Sequence, residues 1–130
     1  MKKSAAFMMV LLLIAGIVYA KGYELNKKAG DYSVLIKIDK NPPVAGKNSV
    51  EITITDASGK AVTDAKVVLA YSMPAMAGMP AANYKADATL SGNVYKTKVD
   101  YSMPGPWNNE VKITRGGKTV SAKFTIDAKQ

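Results

Sequence analysis

Three features of this 130-residue sequence predict an all-β chain, folded as an immunoglobulin-like antiparallel β-sandwich of about seven strands. Apolar residues recur with period two. Turn-forming clusters interrupt them at intervals of about ten residues. No stretch of residues 21–130 carries an apolar 3.6-residue period of useful length. Short alternating strands broken by tight turns bury their apolar faces most simply as two packed sheets. A barrel of the oligonucleotide-binding type is the alternative, but it normally needs fewer and longer strands.

The elements follow in order. Met1-Lys2-Lys3 is a short positive start, Ala5 to Ala20 is an almost unbroken apolar run, and Val18-Tyr19-Ala20 offers a signal-peptidase site. This is the layout of a secretory signal helix, and the run is short for a membrane span. Residues 1–20 are therefore expected to be a signal peptide, or an uncleaved anchor giving membrane association, with export to the periplasm or another extracytoplasmic space. No Cys follows the run, which excludes a lipoprotein anchor. Residues 21–31 form a polar lead, and 32–127 the domain. Strands are expected at 32–39 (Val34, Ile36, Ile38), 49–56 (Val50, Ile52, Ile54) and 66–72 (Val67, Leu69, Tyr71). Further strands are expected at 84–90, 94–101 (Tyr95, Thr97, Val99, Tyr101), 110–115 and 119–126. Asp56-Ala57-Ser58-Gly59, Ser91-Gly92-Asn93 and Arg115-Gly116-Gly117-Lys118 supply turns between them.

Composition narrows the function. There are 18 Lys and Arg against 10 Asp and Glu, and only Lys2 and Lys3 belong to the leader, so the domain stays basic. Such a domain feels anionic surfaces. The lysines are nevertheless scattered and not interleaved with aromatic residues, so no nucleic-acid patch is indicated. Cys and His are both absent. Without them there can be no disulfide, and the usual nucleophile, base and metal-ligand sets are missing. No paired acids or Ser/Lys motif replaces them, and no enzyme is expected.

The tetrapeptide Tyr-Ser-Met-Pro occurs twice, at 71–74 and at 101–104. The four methionines beyond the leader, Met73, Met76, Met79 and Met103, fall at or just after these copies, in two Pro- and Gly-rich loops. If consecutive strands alternate in direction, the loops around 41–43, 73–80 and 103–107 share one end of the sandwich, and the tight Gly turns lie at the other. Residues before proline prefer extended conformations, so the alternation should carry Met73 and Met103 inward at that rim. One reading is an apolar plug, since methionine fills gaps well. The other is a thioether site for Cu(I), whose softness suits neutral sulfur, with Trp107 as an aromatic lid.

The run Pro43-Val44-Ala45-Gly46-Lys47-Asn48-Ser49-Val50, a strand ending in Asp56, Gly59 and Val62-Thr63-Asp64-Ala65 resemble the secreted YtkA-like domain, which is related to FixH proteins. So do Met73-Pro-Ala-Met-Ala-Gly-Met-Pro80, Gly92-Asn93-Val94-Tyr95 and Met103-Pro-Gly-Pro-Trp107. The resemblance spans about residues 32–127. It implies an immunoglobulin-like fold outside the cytoplasm and an association with copper handling, with a metal-transport or respiratory-oxidase assembly protein as partner. The lack of histidine departs from relatives that bind metal through it and argues against Cu(II). Copper(I) held by Met73, Met76, Met79 and Met103 is therefore one expectation. A non-catalytic interaction module, docking a partner through Tyr71, Tyr101 and Trp107 with the methionines as core plugs, is the alternative.

Overall fold

A computed structural model describes residues 22–130. The expected signal helix lies outside the described residues. Nine strands are formed: β1 (Tyr23–Ala29), β2 (Tyr32–Ile38), β3 (Gly46–Thr55), β4 (Lys66–Met73), β5 (Ala82–Asp87), β6 (Thr89–Ser91), β7 (Val94–Tyr101), β8 (Gly105–Arg115) and β9 (Lys118–Ala128). They pair antiparallel in a five-stranded sheet, β1-β2-β3-β7-β6, and a four-stranded sheet, β5-β4-β8-β9. This is the expected immunoglobulin-like sandwich, with two strands more than the sequence pattern indicates.

Both additions have local causes. The segment expected as a polar lead is strand β1, which pairs with β2 from Tyr23↔Ile38 to Ala29↔Tyr32. Its apolar pattern is faint because it is an edge strand, where only Tyr23, Leu25 and Ala29 turn toward the core and lysines guard the open side. The single strand expected at 84–90 is divided at Ala88. Residues 82–87 pair with β4, whereas Thr89–Ser91 pair with β7 in the other sheet. Ala88 marks the crossing, its N–H donating to the Val67 carbonyl at 2.9 Å. Strand β8 also begins earlier than expected, at Gly105, so Trp107 belongs to a strand.

Between the sheets lies one apolar core. Val34, Ile36 and Ile38 of β2 and Val50, Ile52 and Ile54 of β3 face Leu69, Val111, Ile113 and Ile126 of the opposite sheet. Alternation explains the burial: β3 reads buried at every second residue from Asn48 to Ile54, which is what a strand with one dry face requires. The two buried polar side chains are satisfied. Asn48 accepts from the Val44 N–H and donates to the Val44 and Gly46 carbonyls, and Asn109 accepts from the Tyr101 hydroxyl and donates to the Trp107 carbonyl. Among the described residues no buried side-chain nitrogen or oxygen lacks a partner.

Candidate functional site

Strand register brings the long loops together. Gly46 opposes Tyr101, Ser72 opposes Asn108, and Gly105 opposes Ala128. The start of β3, the end of β4, the β7–β8 junction and the chain terminus therefore sit at one end of the sandwich. Lys129 closes it, accepting from the Ala45 N–H at 2.6 Å and donating to the Pro43 carbonyl at 2.9 Å. The tight turns after Ala29, Ser91 and Arg115 lie at the opposite end, as the parity of strand directions requires.

The four methionines separate into two pairs. Met73 ends β4, faces inward and is 3% exposed. Its Cε packs so close to Gly105 that a Cβ added there would approach to 3.2 Å. Gly105 also holds φ at +126°, the left-handed conformation that favours glycine there. Met103 is partly buried and packs on the same core, while its carbonyl accepts the indole N–H of Trp107 at 3.0 Å.

Met76 and Met79 behave differently. They form a miniature antiparallel bridge, each N–H donating to the other's carbonyl, at 3.0 and 2.8 Å. Ala77 and Gly78 make the turn, with Gly78 at φ +80° supplying the left-handed position. Residues directly opposite in an antiparallel pair project from the same face. The two thioethers thus leave the turn side by side, and the side chains are 47% and 39% exposed. Spacing of Met-x-x-Met alone does not dictate this; the reciprocal hydrogen bonds do.

Beneath the methionine end lies an aromatic layer. Trp107 is 5.3 Å from Tyr101, 6.0 Å from Tyr71 and 6.1 Å from Tyr84, centroid to centroid. Tyr71 meets Tyr101 edge-on at 5.6 Å. These contacts correct one expectation. Trp107, Tyr71 and Tyr101 are all buried, Trp107 completely, so they form neither a lid nor a partner surface. The physical reason is that Pro106 and Trp107 continue β8 instead of looping out, and alternation then turns the indole inward. The hydroxyls work inside the sandwich too. Tyr71 accepts from the Asp100 N–H at 3.1 Å, and Tyr101 donates to Asn109 at 2.8 Å, each joining one sheet to the other. Burial drives the Tyr101 phenol well above its ordinary range, although the Asn109 bond acts the other way. The exposed aromatic residue at this end is Tyr84, on the edge strand β5, which the sequence pattern did not single out.

A family model described as YtkA-like matches residues 26–114, from within β1 to near the end of β8. The chain belongs to the YtkA-like family. The matched span of this YtkA-like domain includes both Tyr-Ser-Met-Pro copies, the Met76–Met79 turn and Trp107. Comparison with curated proteins and with solved structures returned no match.

No group of three or more His, Cys, Asp or Glu side chains able to hold a metal occurs among the described residues. The donors offered at the loop end of this YtkA-like domain are thioethers, which are neutral, need no deprotonation and suit a soft monovalent ion better than a hard divalent one. Their chemistry fits Cu(I).

Proposed function

We propose that this domain is an exported, non-catalytic copper-handling module that binds Cu(I) through methionine thioethers at its loop end. The observation that carries the reading is the Met76–Met79 bridge, which presents two soft donors side by side and exposed without cost to the core. Met103, partly buried at the same end, is the natural third donor of a trigonal set. Met73 is held by the core and Gly105, and serves mainly to floor the site. The leader at residues 1–20 takes the domain out of the cytoplasm, where thioethers, unlike thiols, are not lost to disulfide formation. A metal-transport or oxidase-assembly protein is the expected recipient. Anaerobic competition against a Cu(I) chelator tests the reading. The protein should bind one equivalent, and Met76→Leu with Met79→Leu should abolish that binding while leaving the fold intact. Absence of binding by the unaltered protein at micromolar competitor refutes it.

A second reading has its own support. Met76, Met79, Tyr84 and Leu90 are the exposed large apolar side chains of the described residues, and all lie between positions 76 and 90. This segment covers the loop, β5 and β6, the edge along which the chain passes between sheets. An apolar strip on an edge is suited to docking a partner protein. Tyr84→Ser with Leu90→Ser separates the two functions: copper binding survives it, partner docking does not.

A further inference from the structure

The outer faces of the two sheets arrange charge differently. On the five-stranded sheet, register aligns Glu24, Lys37, Glu51 and Lys96 in one row of alternating sign. Lys37 pairs with Glu24 and Lys96 with Glu51, each at 4.0 Å. On the four-stranded sheet, lysines and carboxylates share rows without closing an ion pair. Its middle row is Lys85–Ala70–Glu110–Lys123 and the next is Asp87–Val68–Lys112–Ser121, so three lysines stand with two carboxylates. Among the described residues, Lys85, Lys112 and Lys123 have no carboxylate within ion-pair distance. Lys27, on the neighbouring edge strand β1, borders the same face.

The face is also shaped. It forms an open concave depression of about 930 Å³, floored in part by the small side chains of Ala70 and Ser72. Nearest the methionine end, register aligns Asn83, Ser72, Asn108 and Thr125 in a single row, one from each strand. Neighbouring strands are about 4.8 Å apart, so these amides and hydroxyls form a ladder of donors and acceptors across the sheet. Thr125 donates to Asn108 at only 3.5 Å, which leaves most of the row's hydrogen-bonding capacity to a ligand.

We infer that this face is a binding groove for an acidic polysaccharide. The ladder of amides and hydroxyls matches a chain rich in hydroxyl groups, and the lining's excess of lysines over its one carboxylate, Glu110, matches carboxylates spaced along that chain. Neither feature alone selects this ligand: a neutral glycan has no use for the lysines, and a lipid surface has none for the ladder. The inference is independent of copper, because no methionine takes part.

Alginate is the probe, with dextran as the neutral chain and phosphatidylglycerol vesicles as the anionic surface. The protein should bind alginate in a salt-sensitive way and ignore dextran. The triple change Lys85→Gln, Lys112→Gln, Lys123→Gln should weaken alginate binding at least about tenfold, the scale of one lost charge-assisted hydrogen bond. Lys37→Gln, Lys96→Gln, Lys98→Gln removes the same charge from the other face and should change binding less than about twofold. Asn83→Ala with Asn108→Ala, which leaves net charge untouched, should still weaken alginate binding several-fold. Equal losses from the two lysine triples would reduce the effect to net charge and overturn the inference. An unaffected amide variant, or vesicle binding that equals alginate binding and falls with the same triple, would overturn it as well. All the altered side chains are solvent-accessible, and an unchanged circular dichroism melt confirms that each variant is folded.

Discussion

Replacing Trp107 with Ala tests whether the aromatic layer is structural. The indole is completely buried, lies within 6.1 Å of three tyrosine rings, and donates to the Met103 carbonyl. Truncating a buried aromatic residue costs about 3–5 kcal/mol, from lost transfer energy and the cavity left behind. A domain of this size has about 5–15 kcal/mol in total, so roughly a fifth or more of its stability is at stake. With a urea slope of about 1.5 kcal/mol per M, the midpoint should fall by about 2–3 M. Trp107→Phe keeps a ring but leaves the Met103 carbonyl without its donor, and should cost about 1–3 kcal/mol. Equilibrium urea unfolding, followed by far-ultraviolet circular dichroism, gives both numbers. The sequence has a single Trp, so acrylamide quenching reports on this one site. A midpoint shift equivalent to less than about 1 kcal/mol for the Ala variant, or free quenching of the native protein, would return Trp107 to the surface.

The methionines should divide in the same assay. Met73→Ala is expected to cost about 2–5 kcal/mol, whereas Met76→Leu with Met79→Leu should stay within about 0.5 kcal/mol, because those side chains are exposed. At high pH, Tyr101 should remain a phenol beyond the ordinary tyrosine range. Its folded value is raised above the ordinary 10.0, so its stabilising contribution is full below that pH and is lost as pH rises past it. Ultraviolet titration should show its ionisation coinciding with unfolding, and Tyr101→Phe should remove that alkaline loss. At low pH the sign reverses. The Asp56 carboxylate accepts from the Ser58 hydroxyl, the Lys60 N–H and the Ser58 N–H, and is held below its ordinary 3.8. Asp39 is also lowered: burial acts to raise it, but the Ser49 N–H and Lys40 together outweigh that. Stability from both is present above about pH 4 and is lost as pH falls through the lower folded values. Asp56→Ala should make the acid limb of the stability curve shallower, as read by urea midpoints across that range.

Local pattern carried the sequence far where one face of a strand is dry. Strands β2, β3, β4 and β7 were legible because burial repeats every second residue, and Gly-containing clusters marked the turns. It failed where the second face or the partner changes. Strand β1 lies on an edge and buries too few side chains to show a period. The chain at Ala88 leaves one sheet for the other, and nothing local to residues 84–90 signals the change. Trp107 follows two prolines and a glycine and resembles a loop residue until β9 pairs with it as far as Gly105↔Ala128.

Residue order along the chain fixes an all-β pattern, an apolar run at residues 5–20, the absence of thiol and imidazole groups, and four methionines beyond that run, at or beside loops that strand parity gathers at one end. Packing across the two sheets settles which thioethers are exposed and which are buried, that Tyr71, Tyr101 and Trp107 form a buried layer, and which lysines stand in ion pairs. The division has a physical basis. Periodicity is a property of consecutive residues, whereas burial and charge compensation depend on which residue stands opposite, and register sets that across strands far apart in the chain.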